Sequence, residues 1–332
     1  MLDINTIEQL DNIATPFYYY DMELFRNTLD HVAELAERHD IKVHYAIKAN
    51  VERKLLELIS AKGFGADCVS GNEVLHAHSC GFPAEKIVYA GVGKSDKEIH
   101  DALMLGIEAF NCESLQEIFV INEMAHIHGV KANVSVRINP DIDAHTHKYV
   151  TTGLYENKFG ISQHEFDKLI EILQKSEHIN FIGLHFHVGS QITRVEEVFG
   201  LECRRVNEIV RYFESKGLKV NNINLGGGLG VDYDDPDGSA IADFGTWFST
   251  IAANMETNIN DIIIHLWFTV TSGVNASVNA KINGTKNTNN MYRFTPRNIH
   301  APAAATKSTM PVSSTINIVT PQSVLLSARK PN

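Results

Sequence analysis

The strongest constraint on the fold of this chain is an alternation. Short apolar runs with strand character recur between stretches of helical periodicity, from Val43 to Leu225. The strands fall at a run ending in Lys48 and at 66–70, 87–91, 109–112, 133–139, 182–190 and 222–225, with an eighth expected at 262–268. The intervening helices are expected at 22–39, 54–62, from about 72, and at 95–105, 114–128, 163–175 and 195–216. Strands that alternate with helices form parallel sheets, and right-handed crossovers leave an open doubly wound sheet or a closed barrel. Seven regularly spaced strands with an eighth in place favour the (β/α)8 TIM-type barrel. The expected organisation is an N-terminal strand segment over 1–21 (aromatic from Phe17 to Tyr20), a barrel over 22–268 and a tail over 269–332.

Charge separates the tail from the rest. Net charge is −11, yet all 40 acidic residues precede Ile262, and the 71 residues from there to Asn332 carry seven Lys or Arg. Asn, Ser and Thr crowd this tail, a composition that allows disorder. The acidic balance argues against nucleic acid or an anionic membrane as the main partner. No apolar stretch approaches the roughly 18 residues of a membrane span. Cys68, Cys80, Cys112 and Cys203 lack close pairing, which suits buried thiols in a reducing compartment. The expected location is cytoplasmic.

Barrel enzymes carry their chemistry at the C-terminal ends of the strands. Lys48, Asp67, Asn111, Arg137, His187 and Ser190 fall there, with Gly226, Gly227 and Gly228 after strand seven. A strand buried on both sides would place the Lys48 amine in an apolar setting and suit it to forming a Schiff base. Bare glycines let several backbone N–H groups turn toward one anion, and the Ser190 hydroxyl can reach the same group. His185 and His187, two apart, share a strand face; a metal pair, an imidazole lying against a cofactor ring and a core histidine all fit that spacing. Arg137 could face an anionic oxygen or pair with Asp67. An amine, a phosphate cradle and a stacking imidazole in one barrel mouth suggest pyridoxal 5′-phosphate.

Three motifs carry a resemblance. His44-Tyr-Ala-Ile-Lys-Ala-Asn50, His185-Phe-His-Val-Gly-Ser-Gln191 and Asn224-Leu-Gly-Gly-Gly-Leu-Gly230 together resemble the alanine-racemase-type (fold III) pyridoxal-phosphate decarboxylases, in particular the diaminopimelate decarboxylase branch. Supporting stretches lie at 15–21, 67–73, 137–140 and 158–160. The resemblance implies that Lys48 holds the cofactor and that His187 stacks on its ring. It also implies that Ser190, Gly226, Gly227 and Gly228 bind its phosphate, while Asp67 and Arg137 tune the ring hydroxyl and the lysine's surroundings. The implied reaction releases carbon dioxide from a small amino-acid substrate, meso-2,6-diaminopimelate, to give L-lysine in a homodimer; no metal is implied. The resemblance runs to about residue 255. The family's eighth-strand Glu-x-Gly-Arg motif has no counterpart in Ile264-His-Leu-Trp-Phe268, and its C-terminal β-domain is missing or replaced. A replaced or out-of-frame end on a decarboxylase barrel, with impaired activity or as an inert cofactor-binding remnant, is the resulting expectation.

Overall fold

The computed structural model describes residues 20–142, 159–231, 243–256 and 259–266. Eight parallel strands close into a barrel in chain order. They are β1 (Ile41–Ala46), β2 (Gly65–Cys68), β3 (Ile87–Tyr89), β4 (Ala109–Cys112), β5 (Ala132–Arg137), β6 (Ile179–His185), β7 (Asn222–Asn224) and β8 (Asp261–Leu266). Between and around them run α1 (Met22–His39), α2 (Arg53–Ala61), α3 (Gly71–Ser79), α4 (Asp96–Leu105), α5 (Leu115–His128), α6 (Phe166–Lys175), α7 (Val195–Ser215) and α8 (Phe244–Asn254). The barrel unit comprises 29–230 and 242–268; the remainder groups separately, with Tyr20–Thr28 and Val231 as its described residues.

Local sequence explains the helix starts. Ser70, Ser95, Ser114 and Asp243 each offer a side-chain oxygen to a first-turn N–H, and Ser95 with Glu98 completes a capping box. The second Glu98 oxygen takes the Gly71 N–H at 2.9 Å, tying α4 to the start of α3. Helix α8 was not anticipated from the sequence, although its Asp243 cap and buried Trp247, Phe248 and Ile251 carry the usual signal. The strand expected at 15–21 and the segment 143–158 lie outside the described residues, apart from Tyr20 and Asp21, as does the tail from Trp267 onward.

Register shows which side chains fill the barrel. Paired residues on neighbouring strands share a face, and faces alternate along each strand. The pairing Ala46↔Asp67, Asp67↔Val88, Val88↔Ala109, Asn111↔Ser135, Arg137↔His185, His185↔Asn224, Asn224↔Ile263 and His265↔His44 returns to the face it started from. That face carries buried His44, Asp67, Asn111, Ser135, His185, Asn224 and His265. The opposite face carries buried Tyr45, Cys68, Tyr89, Phe110, Val136, Leu184, Ile223 and Ile264. The main apolar core therefore lies between sheet and helices, and the barrel interior carries a polar set alongside Ala46, Val88, Ala109 and Ile263. All four cysteines are buried and unpaired.

Candidate active site

Lys48 does not close a strand. β1 ends at Ala46, and Ile47–Ala49 form a single 3-10 turn on which the lysine is exposed. The expectation of an amine buried by strand alternation is corrected accordingly. The chain turns here because the Asn50 side chain accepts the Glu52 N–H at 2.9 Å, starting the approach to α2. The Lys48 amine makes no hydrogen bond or ion pair with a described residue. Its charge is nevertheless felt by Asp67, Glu73 and His187.

Asp67 is buried at the inner face of β2, and its Oδ2 lies 3.2 Å from His265 Nδ1. Burial works to raise its carboxyl, but His265, Lys48 and His44 outweigh that and hold it below the ordinary carboxylate range. Its Oδ1 is buried without a hydrogen-bond partner. The alternative of an Asp67–Arg137 ion pair is corrected. Arg137, at the end of β5, donates to both oxygens of Glu113 at 2.8 and 3.2 Å, and its guanidinium lies 5.2 Å from the Phe159 ring centre. Glu113 sits in the short link between β4 and α5, and sequence reasoning missed it. Its backbone N–H is held at 2.8 Å by Glu117, whose other oxygen binds the buried Lys94 amine at 2.6 Å.

β6 stops at His185, so His187 lies on the loop that follows rather than on the strand. Burial foremost, then the Arg137 charge, pushes both imidazoles well below their usual range. Both are therefore neutral near pH 7. His187 packs directly on the glycine loop: a Cβ at Gly226 would lie 2.9 Å from His187 Nδ1 and 2.6 Å from the Phe186 carbonyl. Gly226 also adopts φ +69° and Gly228 φ +120°, backbone angles that favour glycine. The two loops are zipped by Ile192 N–H to Gly228 O at 2.8 Å and Gly230 N–H to Ile192 O at 2.9 Å. Half-buried Ser190 follows Gly189, whose carbonyl oxygen would stand 2.3 Å from a Cβ at Gly228.

Not every glycine N–H is available to a ligand. Gly226 N–H is bonded to Asn224 Oδ1 at 2.9 Å. Gly227 and Gly228 are buried residues whose N–H groups make no hydrogen bond to a described residue. Donors without a partner among the described residues, in a loop where a Cβ at Gly226 or Gly228 would collide with its neighbours, fit an anionic group such as a phosphate. Together with the uncommitted Lys48 amine, they fit pyridoxal 5′-phosphate. Among the described residues, no group of three or more His, Cys, Asp or Glu is placed to hold a metal ion. No helix among them is long and apolar enough to cross a membrane.

Comparison with known proteins gives a consistent result. Residues 23–269 match the pyridoxal-dependent decarboxylase family in its pyridoxal-binding domain. Diaminopimelate decarboxylase of Bacteroides thetaiotaomicron is 48% identical over 257 residues, which cover 77% of this chain and 66% of that protein. The Aquifex aeolicus diaminopimelate decarboxylase is 39% identical over 69% of this chain and 54% of that protein. Among solved structures, diaminopimelate decarboxylase from Helicobacter pylori complexed with L-lysine aligns with a TM-score of 0.72 at 34% identity, over 79% of this chain and 65% of that one. The chain thus spans roughly half to two thirds of the length of these relatives.

Proposed function

The chain belongs to the pyridoxal-dependent decarboxylase family, and from that premise we propose that it acts on meso-2,6-diaminopimelate, releasing carbon dioxide and L-lysine. The observation that carries the reading is a convergence at one barrel mouth. A lysine amine and two glycine N–H groups with no partner among the described residues, a buried carboxylate and a neutral imidazole meet there, in a chain 48% identical over 257 residues to a diaminopimelate decarboxylase. Bound there, pyridoxal 5′-phosphate supplies the electron sink that lets a carboxylate leave an amino acid's α-carbon. Lys48 contributes the amine that holds the cofactor covalently. Gly227, Gly228 and the Ser190 hydroxyl bind the phosphate, with Gly226 shaping the turn. His187 lies against the ring, uncharged. Asp67 keeps negative charge beside the Lys48 amine, and Arg137, held by Glu113, presents a fixed guanidinium to an anionic oxygen.

The family's eighth-strand glutamate has no counterpart among Ile264, His265 and Leu266, and no acidic residue follows Asp261. Losing about 3 kcal/mol of transition-state stabilisation costs about two orders of magnitude in rate. The proposal therefore includes weak turnover. A homodimer is also part of it: Val51, Val69, Val92 and Phe159 stand exposed on loops after β1, β2, β3 and β5, apolar surface that a second subunit could cover.

Reconstitution with the cofactor tests the reading. A near-visible absorbance band that is lost in Lys48→Ala, together with carbon dioxide release from meso-diaminopimelate exceeding that from ornithine or arginine, is the expected outcome. No bound chromophore would overturn it. A chromophore without any carbon dioxide release would favour the inert cofactor-binding barrel instead.

A further inference from the structure

His265 is absent from the residues that the resemblance assigns, yet it stands at the centre of the polar interior. Its Nδ1 faces Asp67 Oδ2 at 3.2 Å and its Nε2 faces Asn224 Nδ2 at 2.8 Å. Its ring lies parallel to that of His44 at 6.2 Å between centres and tilted to that of His185 at 5.6 Å. Its backbone N–H bonds the Gly226 carbonyl at 2.6 Å. Both ring nitrogens thus face side chains of the barrel interior, one from β2 and one from β7.

The direction of each hydrogen bond follows from the donor inventory. A backbone N–H only donates, so the Asn224 atom facing Gly226 N–H at 2.9 Å is the carbonyl oxygen. The Asn224 amide nitrogen then points at His265 Nε2 and donates to it. Nε2, as acceptor, carries no proton. A neutral imidazole must then carry its proton on Nδ1, which donates to Asp67. The chain of bonds runs one way, from the glycine loop after β7, through β8, to the carboxylate of β2.

We propose that His265 is a positioning residue: locked as its Nδ1-protonated tautomer by Asn224, it holds Asp67 oriented and ionised beside Lys48 and couples that carboxylate to the glycine loop. The relay stands on this chain's own geometry; only its consequence for catalysis rests on the function proposed above. Asp67 lies in a buried setting where an unassisted carboxylate would take up a proton. The titratable groups that interact with it include His265 from β8, His44 from β1, His187 from the loop after β6, and Lys48 and Glu73 from the turn and helix at the mouth. Of these, His265 is the one whose ring nitrogen stands 3.2 Å from an Asp67 oxygen. Fixing Oδ2 in this way leaves Oδ1 as the unpartnered atom.

Nuclear magnetic resonance on the cofactor-free protein tests this without reference to activity. Long-range proton–nitrogen spectra of histidine-labelled protein should show His265 with a protonated Nδ1 and a bare Nε2; the opposite tautomer overturns the relay. Asn224→Asp, which replaces the donor with an acceptor, should place a proton on Nε2 in the same spectra. In His265→Leu, the carboxyl-carbon titration of Asp67 should move up by at least one pH unit, a tenfold change in proton affinity. His265→Asn, which keeps a donor near the Nδ1 position, should recover most of that shift. An unmoved Asp67 titration overturns the positioning role. If a variant fails to fold, the tautomer of the unsubstituted protein still decides. A protein that shows this tautomer and binds no cofactor would refute the proposed function while leaving the relay intact.

Discussion

Glu202→Gln gives a quantitative test of the layer outside the barrel. Glu202 lies on α7, on the buried face that also carries Phe199, Cys203 and Val206, and is 0% exposed. Neither of its oxygens has a hydrogen-bond partner. Burial alone pushes its carboxyl well above the ordinary range, so the folded protein keeps it protonated well past the pH at which a free glutamate ionises. In the unfolded chain it ionises near about 4.3. Between those two values the unfolded state binds fewer protons than the folded state, so stability falls as pH rises. One such group contributes a slope of about 1.4 kcal/mol per pH unit. The loss begins above the unfolded value and ends where pH passes the folded one. Glutamine occupies a similar volume and does not ionise. Urea unfolding of parent and variant at pH 5, 6 and 7 should therefore give a stability difference that grows in the variant's favour as pH rises, by up to about 1.4 kcal/mol per unit. Taking the difference cancels the other titrating groups, provided two spectroscopic probes give coincident transitions. Parallel pH curves would refute the reasoning, because they require a Glu202 that is ionised in the folded protein.

Two further substitutions probe the mouth. Gly226→Ala places a methyl group against His187 and the Phe186 carbonyl at φ +69°; the left-handed backbone alone costs about 1–2 kcal/mol. Calorimetry should show a melting temperature lower by several degrees, and an unchanged melting temperature would contradict the close packing. Arg137→Met leaves the Glu113 carboxylate, 4% exposed, without its cation and should cost about 3–5 kcal/mol in denaturant titrations. Adding Glu113→Gln should return part of that loss, whereas strictly additive effects would show that the pair does not interact.

The architecture was legible because strands and helices carry different apolar periods, and the barrel order follows from their alternation. The strand-end residues were legible for the same reason, since a barrel gathers them at one mouth. What escaped the sequence was set by register and by links between elements. The exposure of Lys48 depends on a turn that begins at Ile47, one residue beyond the strand, and period-two alternation cannot foresee where a strand stops. The partner of Arg137 is Glu113, 24 residues earlier in the chain, and no local pattern connects them. The Gly226 N–H is held by Asn224, two residues earlier, and a run of glycines carries no sign of which N–H groups are already bonded.

The polar interior explains why this barrel can keep charge where most barrels pack branched side chains. In β1, Ile41, Val43 and Tyr45 face the helices while His44 and Ala46 face inward, so an apolar-looking run hides one polar stripe. Four such side chains (Asp67, Asn111, His185 and His265) come from β2, β4, β6 and β8, the alternate-strand set from which a barrel layer is built. An ionised Asp67 in that layer would be costly without a donor. His265 supplies the donor, Asn224 fixes its direction, and Gly226 fixes Asn224. Stability can then come from the apolar layer between sheet and helices, leaving the interior to be selected for electrostatics. On this argument, Ile264→Ala, on the outer face and 0% exposed, should cost about 2–5 kcal/mol of stability and leave the Asp67 titration in place. His265→Leu should do the reverse, moving that titration while removing no outer-face packing. If both substitutions shifted stability and titration together, the division of labour between the two faces would be wrong.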